Sequence, residues 1–160
     1  MGGRAYDAFW GTTLRTTTRV HKLLNRISGG RLGKRFPGGQ QVVWITTLGR
    51  KSGEWRRNPL LAVHEDNDPA MPWLITGSNA GQAAVPAWVF NLRSHDRGTL
   101  EVDGVVSDAV FTEATGAERD RLYAQMASMW SSYEMYERNA GRQIPVFRVS
   151  PVGSISAEAM

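Results

Sequence analysis

Five consecutive residues, Gly49-Arg50-Lys51-Ser52-Gly53, set two cations and a hydroxyl between glycines. A loop of this kind can gather a guanidinium, an ammonium, a hydroxyl and backbone N–H groups around one point. A phosphate or carboxylate needs that arrangement. The same composition also describes an ordinary solvated turn. Arg56 and Arg57 follow closely and Arg93 comes much later, and these added cations favour an anion. The G-x-x-x-x-G-K-[ST] spacing of a nucleotide-binding P-loop is absent. A second constellation is Trp130, Tyr133 and Tyr136, three residues apart. On a helix such positions share a face. An aromatic stripe can be core, but Ser131, Ser132 and Glu134 make this stretch polar, and phenols there can offer O–H groups at a pocket mouth. A third stretch, Gly77-Ser78-Asn79-Ala80-Gly81, has side chains small enough for backbone to approach a planar ligand.

Other chemistry is poorly represented. His21, His64 and His95 are isolated, and neither metal-ligand spacing nor a G-x-S-x-G elbow occurs. There is no cysteine, which excludes disulfides, thiol nucleophiles and cysteine metal sites. An enzyme built from these residues would take its reactive group from an organic cofactor.

The elements that must hold these groups follow from patterning. Val42 to Leu48 is β-branched and aromatic and predicts a buried strand. The glycine-bounded loop joins it to a second strand over Trp55–His64. His64 to Pro69 reads as a polar turn, Trp73–Thr76 as a third strand, and Pro86–Leu92 as a short helix with proline in its first turn. Arg97–Asp103 and Val105–Thr112 form a hairpin across Asp103-Gly104. Leu122, Met126, Met129, Trp130 and Tyr133 recur at helical spacing, predicting one long helix over 115–138 that Gly141 stops. Ile144–Val149 reads as a closing strand. Six strands with mostly short connections predict an α+β fold, mainly β: an antiparallel barrel, closed or nearly so, with helices packed outside.

The 160 residues, 41% hydrophobic and 21% charged, suit one globular domain with a sizeable core. The net charge of +4 is unevenly spread. Residues 1–36 carry eight Lys/Arg against Asp7 alone, so the rest of the chain is net acidic. Residues 5–28 read as a helix with Phe9, Trp10, Leu14, Val20, Leu24 and Ile27 on one side, ended by Gly29-Gly30, and a glycine-rich linker follows. This basic segment suits an anionic membrane surface, and equally a helix whose apolar stripe packs on the domain while its basic face is solvated. No nucleic-acid-binding motif accompanies it. No stretch approaches the ~20 apolar residues of a membrane span, and the start lacks a signal-peptide core. The expected location is the cytoplasm, either free or peripheral at the inner face of the cell membrane.

Four ordered blocks carry a resemblance: ITTLGRKSGEWRRNPL at 45–60, ITGSNAGQAAVPAWVFNL at 75–92, Trp130 to Tyr136, and IPVFRV at 144–149. Over about residues 20–150 the sequence resembles the deazaflavin-dependent nitroreductase family, the A-type coenzyme F420-dependent oxidoreductases of actinobacteria. The resemblance implies an FMN-binding-like split β-barrel over 37–160, behind the basic segment 1–36. It implies coenzyme F420 as cofactor, its reduced form the hydride donor. It also implies that Arg50, Lys51, Ser52 and Gly53, with Arg56 and Asn58, contact the anionic tail. Gly77, Ser78, Asn79, Ala80 and Gly81 would lie along the ring, with Pro86, Ala87, Trp88 and Asn91 shaping the same pocket. Trp130, Tyr133 and Tyr136 would border the substrate, and Ser78, Tyr133 or Tyr136 would supply the accompanying hydrogen bond or proton. The implied acceptors are quinones, nitroaromatics and activated enones. Two departures stand out: Trp130 replaces the first of three tyrosines, and Trp55 replaces a proline.

Other readings keep the barrel. An FMN- or haem-binding barrel, or a cofactor-binding module without turnover, is compatible with the fold, since fold does not fix function. The extended set Arg50, Lys51 and Arg56 suits a long polyanionic tail better than a single phosphate.

Overall fold

The computed structural model describes residues 40–153. Six antiparallel strands close into a barrel in the order β1-β2-β3-β6-β5-β4. They are β1 (Gln41–Leu48), β2 (Trp55–His64), β3 (Trp73–Thr76), β4 (Arg97–Val102), β5 (Val105–Glu113) and β6 (Val146–Pro151). Three helices accompany them: α1 (Ala87–Ser94), α2 (Gly116–Met129) and α3 (Tyr133–Ala140). The expected barrel is present. The N-terminal helix and linker expected before it lie outside the described residues.

Alternation along β1 shows how the sequence makes a wall. Val43 and Ile45 point into the core and are fully buried. Trp44 takes the other face, where the Arg57 guanidinium lies 3.8 Å from its ring centroid. β1 pairs with β2 from Gln41↔Ala62 to Leu48↔Trp55, and with β4 from Val43↔Val102 to Thr47↔Gly98. The second ladder closes the barrel and requires Gly98, because a Cβ there would collide with the Thr46 carbonyl.

The barrel is tightly paired except between β2 and β3. These strands meet only at Val63↔Leu74 and His64↔Trp73, which leaves the first part of β2 with one strand neighbour. Pro59 sits in that part, opposite Trp44. A residue without an N–H costs least where a ladder has an open side.

Two apolar clusters form the interior. Val43, Ile45, Ile75, Leu100, Phe111 and Phe147 fill the barrel, and α1 adds Trp88, Val89 and Leu92. Leu74 and Val146, on the other face of their strands, meet Leu122 and Met126 of α2 and Tyr133 of α3.

The long helix expected over 115–138 is two helices. Trp130 leaves the helical region at φ −141° and ψ 101°, and α3 begins at Tyr133. Successive i→i−3 bonds close the corner: Tyr133 N–H to Trp130 O, Glu134 N–H to Ser131 O, and Met135 N–H to Ser132 O. Serines favour such local turns over helix interiors, and here that preference overrides the apolar spacing. Gly141 ends α3 in the left-handed conformation, as expected. The last strand starts at Val146 rather than Ile144. Pro145 cannot donate to a ladder, and its carbonyl accepts from Gly77 N–H at 2.9 Å.

The turn after β2 holds a buried charge that composition concealed. Glu65 is 3% exposed and accepts from Arg148 Nε at 2.6 Å and Arg121 Nη2 at 2.5 Å. Chiefly through the Arg148 hydrogen bond, its carboxyl is held down at about 2.

Candidate functional site

The open side of β2 borders a cavity of about 690 Å³. Its floor is Gly49 to Ser52 of the Gly49–Gly53 loop. That loop is closed by its own backbone: Gly49 N–H donates to Glu54 O and Gly53 N–H to Gly49 O, each at 2.8 Å. Gly53 has φ +67°, which a glycine adopts without strain. A Cβ on Gly49 would come 2.6 Å from Ser52 Oγ.

Asn91 of α1 fixes this loop from behind. It is 5% exposed; its Oδ1 accepts from Arg50 N–H at 3.2 Å, and its Nδ2 donates to Thr47 Oγ1 at 3.3 Å. One amide thereby joins α1, β1 and the loop, in a register only the fold can supply. The Arg50 guanidinium stands over the Phe90 ring at 4.8 Å. Neither Arg50 nor Lys51 forms an ion pair among the described residues. Arg56 pairs with Glu54 at 2.6 Å, with both side chains largely exposed. Two of the extra cations noted in the sequence have other duties. Arg57 pairs with Glu101 at 2.7 Å on the outer wall, and Arg93 makes a two-pronged bond to Glu113 at 2.7 and 2.9 Å.

The cavity gathers most of the residues that the sequence singled out. Arg50, Lys51, Ser52, Arg56 and Asn58 line it from the loop and β2. Asn79, Pro86, Ala87, Trp88 and Asn91 line it from the segment after β3. Gly49 joins them from the same loop, and Gln82, Ala84 and Val85 join without having been anticipated. Gly53, Gly77, Ser78, Ala80 and Gly81 are not on its wall. Gly77 is instead a packing glycine, since a Cβ there would lie 2.6 Å from Val89 Cγ2. Gly81 backs onto Tyr136, whose Cδ1 would be 3.0 Å from an added Cβ.

The aromatic trio is divided by the corner between α2 and α3. None of the three lines the cavity, and the 77–84 segment stands between it and Tyr136. Tyr133 is 4% exposed and packs edge-on to Tyr123 and Tyr136, at centroid distances of 6.0 and 5.3 Å. Burial pushes its phenol up to about 12, with the nearby Thr76 and Ser78 hydroxyls acting in the opposite direction. It therefore keeps its proton at neutral pH. Trp130 and Tyr136 are half-buried against the second cluster.

Sequence reasoning also missed Arg142. Its guanidinium bonds to backbone carbonyls of the 77–84 segment, some sixty residues away. No spacing in the sequence marks it. Among the described residues no group of three His, Asp or Glu side chains could hold a metal ion.

The donors at the cavity floor are cations without carboxylate partners, beside a hydroxyl and amide N–H groups, and they fit an anionic ligand. Residues 17–151 match the model of the F420H(2)-dependent quinone reductases. The chain belongs to that family. Its members include an F420H(2)-dependent quinone reductase of Mycobacterium tuberculosis, 27% identical over 137 residues, covering 80% of this chain and 85% of the relative. The solved F420H2-dependent reductase FDR-A superposes with a TM-score of 0.60 at 29% identity, covering 68% of this chain and 93% of that one. HutZ, the haem storage protein of Vibrio cholerae, shares the fold alone: TM-score 0.52 at 12% identity, covering 81% and 89% of the two chains. Family membership makes this protein an F420-dependent oxidoreductase with reduced coenzyme F420 as hydride donor, and the expected family, split barrel and cofactor stand. No helix among the described residues is long and apolar enough to cross a membrane.

Proposed function

We propose that this family member reduces quinones, holding F420 in the cavity beside β2. The observation that carries the reading is the cavity's polarity: Arg50 and Lys51 stand unpaired at its floor, while Pro86, Ala87 and Trp88 form a largely apolar wall. A cofactor with an anionic tail and a flat ring suits both halves. Arg50, Lys51, Ser52 and Gly53, with Arg56 and Asn58, would hold the tail. Asn79, Pro86, Ala87, Trp88 and Asn91 would shape the ring pocket, with Gly77, Ser78, Ala80 and Gly81 forming the backbone behind it.

Reduced F420, when bound, supplies a hydride, and a quinone that takes up one hydride and one proton becomes a quinol. The chain's part is to orient the acceptor, exclude water and manage the proton. Ser78, Tyr133 and Tyr136 remain the candidates for that proton or hydrogen bond. Tyr133 suits a donor rather than a base, because burial raises its phenol to about 12; being buried off the cavity wall, it would act through the neighbouring Ser78 hydroxyl. Trp130 and Tyr136 would set the substrate side where it adjoins the 77–84 segment, with Tyr133 packed behind them in the second cluster. Nitroaromatics and activated enones, being electron-poor, are further acceptors of the same chemistry.

The excess positive charge of residues 1–36 supports collection of a lipid-soluble quinone at an anionic membrane surface. Deleting residues 1–28 should then abolish binding to anionic vesicles; unchanged binding would remove this part of the proposal. For the reaction itself, reduced F420 is mixed with the protein and menadione, and reoxidation is followed optically. Turnover is expected. Absence of turnover with every acceptor class, together with tight FMN binding, would overturn the reading.

A further inference from the structure

The 77–84 segment folds its carbonyl oxygens onto one side chain. Arg142 Nε donates to Ala83 O at 3.0 Å. Its Nη2 lies 3.1 Å from Gly77 O, 3.2 Å from Gln82 O, 3.3 Å from Ala84 O and 3.4 Å from Ser78 O. That nitrogen has two protons, so the four oxygens share them in bifurcated bonds. Arg142 forms no ion pair among the described residues; the nearby Glu137 is bonded to Arg119 and to Ile144 N–H. Burial works against its charge, and the ring of carbonyl dipoles stands where a carboxylate would otherwise be needed.

This arrangement fixes the other side of the segment. A trans peptide points its C=O and N–H in opposite directions, and the described residues contain no cis bond. Five carbonyls drawn onto Arg142 therefore aim the N–H groups of Ser78, Asn79, Ala83, Ala84 and Val85 away from it. These N–H groups have no acceptor among the described residues, whereas those of Gly77, Gly81 and Gln82 do. Asn79, Ala84 and Val85 belong to the cavity wall. Backbone donors that meet no acceptor in the protein are disposed to meet one in a ligand.

We propose that Arg142 is a positioning residue for cofactor binding: by gathering the carbonyls of residues 77–84, it turns a row of backbone N–H donors toward the cavity. The ligand edge they suit is rich in acceptors, as is the carbonyl-bearing pyrimidine edge of a deazaflavin ring. This rests on the cavity being the F420 site, but its first test does not. Lysine cannot replace the guanidinium fully, since its three protons radiate from one atom while the carbonyls are spread across two nitrogens.

The test compares the full-length wild type with Arg142→Gln and Arg142→Lys. In the cofactor-free protein, ¹⁵N relaxation of residues 78–85 should drop from rigid order parameters of about 0.85 to below about 0.6 in Arg142→Gln, with β1 and β4 unchanged. Arg142→Lys should fall between. Loop order equal to wild type in both variants would overturn the proposal. So would a loss of order spread evenly through the strands in Arg142→Lys, which marks a purely structural role. With oxidised F420 as the probe, read by its fluorescence, Kd should rise at least tenfold in Arg142→Gln, while KM for menadione stays near wild type. A loosened loop with unchanged Kd would overturn the ligand half. A wild type that does not bind F420 would overturn the cofactor reading and that ligand half with it; the relaxation data would still decide whether Arg142 holds the loop.

Discussion

The two ends of β2 use arginine in opposite ways. At its start, Arg50 and Lys51 have no carboxylate to answer them and face a cavity. At its finish, Arg148 and Arg121 converge on Glu65, which is almost wholly buried, and Arg148 also reaches Glu118 at 2.8 Å. Desolvating a carboxylate is tolerable only when its partners are in place, so the far end spends its cations on the fold. The near end keeps them solvated and available. A cation's partner therefore says more about its role than its position in the sequence does. Arg57 and Arg93 make the same point: both lie near the loop in sequence or space, and both are already paired.

If this contrast is right, substitutions at the two ends should separate stability from binding. The largest effect is expected from Glu65→Ala, which leaves Arg148 without its buried partner and should cost about 3–5 kcal/mol of stability by urea titration. F420 affinity of the folded fraction should be unchanged. A stability loss below about 1 kcal/mol would mean that the network is ornamental, as most exposed pairs are. Next comes the double variant Arg50→Ala/Lys51→Ala. Losing two charge-assisted contacts at about 1.5–3 kcal/mol each should raise the F420 Kd roughly a hundredfold or more, with little change in melting temperature. An equal fall in both quantities would break the comparison.

Asn91→Leu probes the join between the two functions. It strands Thr47 Oγ1 and the Arg50 N–H, and a cost of about 1–3 kcal/mol should appear in stability together with weaker cofactor binding. The acid response is a further check. Glu65 is held below its ordinary value of 4.5, so its contribution is present above about pH 4.5 and is lost as pH falls toward about 2. Wild type should lose stability over that window more steeply than Glu65→Gln. The smallest effect is expected for Arg56→Ala, whose exposed pair with Glu54 contributes at most about 1 kcal/mol to folding.

Much of the barrel was legible because strand signals are local. β3 starts and stops with its aromatic and β-branched run, β2 spans Trp55–His64 as expected from the glycine-bounded loop and the polar turn that flank it, and Asp103-Gly104 marks its hairpin unaided. The cavity floor was legible for the same reason, being one short loop. The features that escaped depend on partners far along the chain. Glu65 read as a polar turn because Arg148 is 83 residues away. Arg142 carried no signal because its acceptors are backbone carbonyls, which every residue has. The corner at Trp130 escaped for a different reason. Apolar spacing continues across it and masks the turn preference of Ser131 and Ser132. Trp130 consequently sits at the corner while Tyr133 and Tyr136 lie on α3, and Tyr133 belongs to the core.

The short meeting of β2 and β3 has a mechanical corollary. A closed barrel resists opening wherever its hoop of hydrogen bonds is continuous, and this hoop is thinnest at two residue pairs. The Glu65 cluster sits beside those pairs, with Glu65 N–H bonded to Pro72 O at 2.9 Å and its carboxylate clamped to β6 through Arg148. It acts as a rivet across a seam. The stretch left unstitched farther along β2 borders the cavity, so one rivet sets how far the barrel can be left open without unzipping.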